Sequence, residues 1–316
     1  MIQDRNDKNN SLALGYLLGA VAACTYGMNP LFSLPLYADG MRPDMVLLLR
    51  YGIATPIVGL MLYSRGRTFR LPKAHILPMA ILGIIVALSS LFLFLSYNYM
   101  AAGIASTILF VYPIMVAVIM ICGYKEKAQL ITIACIALAV TGIGLLYKGS
   151  DGETLSLTGT IYVIISALMY AISIVMMNKS CIHDKPTIEL TFWMLLFGAV
   201  LLFVCCCYTG SFALPSRPLL WLNVLGLAIF PTVISFMCTT RAVNIIGSTP
   251  TAILGALEPV TALVIGFLVF DEDLSERDIV GVVLILLAVT LIIAGASLGR
   301  ALTRVRKLFP RLRRKH

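Results

Sequence analysis

Along this chain the polar positions come in short clusters and the apolar positions in long runs. Each run is about twenty residues, the length that crosses a hydrocarbon core of roughly 30 Å. Ten such runs predict ten helices, at about 12–34, 44–63, 75–97, 101–122, 128–147, 157–178, 187–208, 218–240, 247–270 and 278–297. Polar residues inside the runs fall at helical spacing. Tyr26, Asn29 and Ser33 share one face of the first run, and Ser166, Tyr170 and Ser173 share one face of the sixth. Such stripes turn toward a cavity or a neighbouring helix, not toward lipid.

Composition sharpens this into a class. Of 316 residues, 59% are hydrophobic and 12% charged, far from the balance of a soluble domain. The expected fold is an all-α membrane protein, and no hydrophilic stretch is long enough for a separate soluble domain. The first run is too long for the apolar core of a cleaved signal peptide, so it is expected to remain as a span. With the N-terminus placed in the cytoplasm, 19 of the 24 Lys and Arg fall on the inner side, four fall outside, and Arg50 lies within a span. That bias predicts cytoplasmic termini at both ends: a short polar segment at 1–11 and a basic tail at 298–316. The tail enforces topology or rests on anionic headgroups; it does not read as a nucleic-acid site.

The order of local patterns repeats. Gly15, Ala23 and Tyr26 of span 1 match Gly159, Ala167 and Tyr170 of span 6. AILG (80–83) matches NVLG (223–226), and Pro113 of STILFVYPIM matches Pro259 of TAILGALEPV. Lys125-Glu126 matches Asp271-Glu272, and ALAVT (137–141) matches LLAVT (286–290). Spans 1–5 thus pair with spans 6–10. Five is odd, so the halves insert in opposite orientations, related by a pseudo-two-fold axis in the membrane plane.

Ten spans in this arrangement, with the stretches ALEPVTALVIGFLVFDED (256–273) and YPIMVAVIMICGYKEKAQLITIACIALAVTGIGLL (112–146), resemble the drug/metabolite transporter superfamily, and within it the EamA-type exporters. Arg50 and TYGMNP (25–30) fit the same resemblance. Tyr26 stands where a Trp often precedes the glycine, and Asp271-Glu272 stands where Gly-Glu is usual. The resemblance implies two EamA-like repeats, 12–147 and 157–297. It also implies a multi-pass transporter of the bacterial inner membrane, working on small molecules.

Three features carry the candidate chemistry. Glu258 lies about 16 Å along its helix from Gly247, near the midplane. A charge there costs at least about 2.5 kcal/mol and is expected to face a cavity or a partner. Pro259 lacks an N–H and clashes with the carbonyl of Gly255, so that carbonyl must be satisfied some other way. Arg50 reads as a contact for a substrate carboxylate, as half of a buried ion pair with Glu258, or as a snorkelling surface group. Tyr112, the repeat mate of Glu258, offers a phenol at matched depth. The candidate substrate-binding set is Arg50, Tyr26, Asn29, Tyr112, Tyr170, Ser173 and Glu258. Glu258 is also the candidate proton-coupling residue, and Pro30, Pro113 and Pro259 are the candidate helix breaks. Tyr97, Asn98 and Tyr99 read as an interfacial aromatic belt.

Other classes fit poorly. The histidines (His75, His183, His316) are scattered, and no cysteine spacing suits a metal. No P-loop is present, so ATP coupling would need another subunit, and no cofactor is expected. The partners are a small-molecule substrate, the bilayer and, as a candidate coupling ion, the proton. The leading function is a secondary transporter, in the export direction, for a metabolite such as an amino acid. The alternative is proton-coupled efflux of a drug or lipophilic cation. The sequence leaves the oligomeric state open.

Overall fold

The computed structural model describes residues 2–67, 69–124, 130–147, 156–179, 186–246, 251, 254–272, 275–277 and 279–291. The basic tail at 298–316, the end of the tenth predicted span and the Lys125-Glu126 pair lie outside the described residues. Within them the chain is helical throughout, with short turns and no strand.

All ten predicted spans are occupied by helix, but four of them are broken within the span. The first is α1 (Ile2–Gly27) followed by α2 (Asn29–Ala38). The second and third are α3 (Pro43–Ser64) and α4 (Lys73–Ser96). The fourth is α5 (Ala102–Leu109) followed by α6 (Tyr112–Tyr124), and the fifth is α7 (Leu130–Tyr147). Then come α8 (Leu157–Lys179) and α9 (Thr187–Thr209). The eighth span is α10 (Leu220–Ala228), a π-helical turn (Ile229–Ile234) and α11 (Ser235–Ile246). The ninth span includes α12 (Leu257–Phe270), and the tenth is α13 (Ile279–Leu291).

Proline explains the breaks. Pro30, Pro113 and Pro259 each sit in the first turn of the helix that follows a break, where a missing N–H costs nothing. The helix before each one ends because the ring displaces the carbonyl four residues back. Two of those carbonyls find other donors. The Tyr26 carbonyl accepts from Asn29 Nδ2 at 2.9 Å, and the Gly255 carbonyl accepts the Glu258 N–H at 3.0 Å. Pro231 acts in the same way inside the π turn. The Leu227 carbonyl, four residues before it, accepts the Thr232 hydroxyl at 3.1 Å.

The repeats are interleaved. The first span of each packs into the other: α1 lies on α11 and α12, and α8 lies on α4, α5 and α6. Hydroxyls fix both seams. Ser89 and Ser166 each donate to the other's carbonyl, at 2.9 and 2.7 Å, and Ser235 donates to the Ala22 carbonyl at 2.9 Å. Such bonds join apolar helices where burial from water contributes little.

The two membrane faces differ. At the face carrying the α2–α3 turn the connections are tied together. Asp44 accepts from Thr209 and Ser211, each at 2.6 Å. Asp39 accepts from the hydroxyl and the N–H of Ser216, which holds this exposed carboxyl below the usual carboxylate range. Tyr37 donates to the Phe94 carbonyl at 3.2 Å, and Phe94 stacks obliquely on Tyr97. Glu272 accepts the Ala102 N–H at 3.0 Å, satisfying one orphan donor at the start of α5. At the opposite face a cleft of about 490 Å³ opens between the ends of α3, α9 and α11.

Candidate functional site

Arg50 is the centre of the buried polar structure. It is 5% exposed, seven residues into α3. Its Nε donates to Thr232 Oγ1 at 2.9 Å and its Nη1 to Asn29 Oδ1 at 3.0 Å. The guanidinium carbon lies 5.7 Å from the centroid of the Phe94 ring, within cation–π range. Both hydrogen-bond partners neighbour a proline, and both satisfy the carbonyl which that proline displaces. Asn29 precedes Pro30 and Thr232 follows Pro231. Two helix breaks on different repeats are therefore the two jaws that hold one arginine.

Of five guanidinium N–H donors, two are used in this way, and Nη2 has no acceptor among the described residues. The ion pair with Glu258, one of the sequence expectations, does not form. Outward snorkelling does not occur either, because the side chain is buried. A buried cation without a counterion is costly, and it is stabilised by any anion that reaches it.

Glu258 is placed by a close crossing. α1 passes α12 at Gly27, where a Cβ would stand 2.5 Å from the Glu258 carbonyl oxygen and 2.7 Å from Thr261 Cβ. Only glycine lets the helices approach this far. The Glu258 side chain is half-buried and makes no hydrogen bond among the described residues. Its carboxyl group lies within electrostatic range of the phenols of Tyr26, Tyr97, Tyr112 and Tyr170, and Tyr26 and Tyr97 also lie within range of the Arg50 guanidinium. Tyr112 and Tyr170 meet edge to face, centroids 4.7 Å apart, and their rings and that of Tyr26 are half-buried. The carboxylate and the guanidinium thus bracket a zone walled by tyrosines from both repeats.

The predicted site residues divide by what their polar atoms do. Arg50, Tyr26, Tyr112, Tyr170 and Glu258 come together. Asn29 is 3% exposed and has its amide oxygen on Arg50 and its amide N–H on the Tyr26 carbonyl, so it is a positioning residue. Ser173 is fully buried and donates to the Tyr170 carbonyl at 2.7 Å within its own helix. Ser33 Oγ is buried without a hydrogen-bond partner among the described residues. Tyr97 is 7% exposed and faces the interior, so only Asn98 and Tyr99 of the expected aromatic belt are at the surface. Sequence reasoning missed Thr232 and Phe94. The proline beside Thr232 was the available sign, since Asn29 carries the same one.

The sequence matches one family along nearly the whole chain. The EamA-like transporter family matches residues 13–148 and again 157–294. The chain belongs to the EamA-like transporter family. It is a multi-pass membrane protein of a transporter family, with one EamA repeat in each half. Its relatives carry transporter names. It is 26% identical over 250 residues to "Uncharacterized transporter YxxF" of Bacillus subtilis, covering 76% of this chain and 78% of that one. It is 22% identical over 295 residues to "Uncharacterized transporter YcbK" of the same organism, covering 89% and 93%. A solved crystal structure superposes with a TM-score of 0.65 at 18% identity, over 91% of this chain and 98% of that one. At that identity the likeness is one of fold.

Proposed function

We propose that this chain is a secondary transporter exporting a small zwitterionic metabolite, such as an amino acid, by alternating access. The observation that carries the reading is Arg50: buried, held by two neutral side chains, with Nη2 open and no carboxylate paired to it. A substrate carboxylate supplies the missing anion. Across the tyrosines, Glu258 receives the substrate amino group or a proton. Tyr26, Tyr112 and Tyr170 wall the site, Asn29 holds Arg50, and Ser173 fixes the turn bearing Tyr170.

The asymmetry of the faces supports alternating access. One face is laced shut by Asp39, Asp44, Tyr37 and Glu272, while the cleft opens at the other. We read the cleft side as cytoplasmic from the Lys and Arg bias, with both termini inside, and the membrane as a bacterial inner membrane from the family resemblance. This arrangement is the loading state of an exporter. Because α1 packs with α11 and α12, and α8 with α4 to α6, the moving bodies are these mixed bundles and not residues 12–147 against 157–297. Proton-coupled efflux of a lipophilic cation is the second reading, favoured by the half-buried, unpaired Glu258.

The test is uptake into proteoliposomes over a panel of amino acids and cationic dyes, with and without a pH gradient. Amino-acid flux lost in Arg50→Gln supports the zwitterion reading. Dye flux that survives Arg50→Gln and is lost in Glu258→Gln favours the cation reading. Amino-acid flux unchanged in Arg50→Gln overturns the proposal.

A further inference from the structure

The cleft between α3, α9 and α11 has its own chemistry. Arg65, Arg67 and Arg241 line its mouth. All three side chains are exposed, and none ion-pairs or hydrogen-bonds through its guanidinium with a described residue. Below the arginines the lining turns apolar, through Met237 to Val58 and Val233.

Basic residues at the end of a span are ordinary topology signals. Two observations set these apart. They converge on a single cavity of about 490 Å³, in the usual range for ligand pockets, from two spans of different repeats. The floor of that cavity also adjoins the Arg50 site, since Val233 follows Thr232, the residue that holds Arg50 Nε. Val58 lies eight residues beyond Arg50 on α3, about 12 Å along the axis. Three unpaired cations over an apolar shaft suit a ligand with an anionic head and an apolar body. A basic funnel of this kind also raises the local concentration of anions.

We propose that this cleft is a binding site for an amphiphilic organic anion, a carboxylate or phosphate whose apolar body lies against Val58, Val233 and Met237 while its head meets Arg65, Arg67 and Arg241. The head group comes either from a soluble solute on its way to Arg50 or from an anionic lipid. The soluble case rests on the transporter reading; the binding itself does not.

Titration calorimetry on the purified full chain in a neutral maltoside detergent tests the site. The probes are 4-phenylbutyrate, the charge-reversed 4-phenylbutylamine, and dihexanoyl phosphatidylglycerol. The variants are Arg65→Gln/Arg67→Gln/Arg241→Gln and, separately, Arg50→Gln, with gel filtration reporting the fold of each. Binding of 4-phenylbutyrate that weakens at least tenfold in the triple variant and at high salt, but persists in Arg50→Gln, supports the proposal with a soluble ligand. The same pattern seen only with the phosphatidylglycerol supports it with a lipid. Anion binding unchanged in the triple variant, or absent, overturns it, as does equal binding of the amine. Loss of transport with this binding intact would sink the transporter reading alone.

Discussion

Arg50 and Asn29, 3.0 Å apart, join the second span to the break in the first. Asn29 can hold the arginine because its other end is anchored on the carbonyl that Pro30 displaces. Thr232 repeats the device from the other half of the chain. The arginine is thus aimed by backbone breaks, and its aim changes when either break moves.

From this geometry, Asn29→Ala and Thr232→Val each remove one hydrogen bond to a charged group, about 1.5–3 kcal/mol. The expected result is a roughly 10- to 150-fold loss of affinity for an acid-bearing substrate, read as KM in proteoliposome uptake. Arg50→Lys keeps the charge but cannot reach both partners at once, so it should resemble these variants and not the wild type. Transport by Arg50→Lys at wild-type KM would show that the two-jaw hold is irrelevant.

Glu258 carries the second prediction. Glu258→Gln keeps the shape and removes the charge. If the carboxylate takes up a proton during the cycle, flux in the variant no longer responds to an imposed pH gradient, while exchange of substrate without a gradient continues. A response to the gradient equal to that of the wild type assigns Glu258 to the scaffold.

The sequence made some of this legible and hid the rest for a physical reason. Charges and prolines in an apolar run are expensive, so Arg50, Glu258, Pro30, Pro113 and Pro259 stood out. The matched order of the repeats pairs Tyr112 with Glu258, and the two side chains lie within electrostatic range of each other. The partner of Arg50 was not legible. Thr232 is 182 residues away, and a threonine in a membrane span costs too little to attract notice. The ion-pair expectation failed for a related reason: sequence displays opposite charges but not which helices cross between them. Tyr97 read as a surface residue because a span end was expected at the interface, whereas the α4–α5 turn folds it under Phe94.

The crossing at Gly27 gives a stability prediction. Gly27→Leu forces α1 off α12, because even a Cβ meets the Glu258 carbonyl. Overpacking of this kind costs about 1–3 kcal/mol or more. The variant should melt at a lower temperature in detergent, and any folded fraction should transport poorly because Glu258 moves with the crossing. A control at Gly52, where nothing lies within 4 Å of a Cβ, should leave the melting temperature nearly unchanged when replaced by Ala.

The last prediction concerns the two faces. With native cysteines replaced, Arg241→Cys in the open cleft should react from the cytoplasmic side with a membrane-impermeant maleimide, and Tyr208→Cys, 92% exposed, from the opposite side. Reaction of both from one side would refute the ten-span topology. The balance between states is then open to measurement. The Tyr37 hydroxyl bonds the Phe94 carbonyl at the laced face, and on the alternating-access reading this contact breaks when that face opens. Tyr37→Phe removes that bond, about 0.5–1.5 kcal/mol, and shifts the equilibrium roughly 2- to 13-fold toward opening at that face. Labelling of Arg241→Cys should slow in the Tyr37→Phe background as the cleft-open fraction falls, because the cleft closes as the other face opens. A labelling rate indifferent to Tyr37→Phe would mean that the two faces open independently, which alternating access forbids.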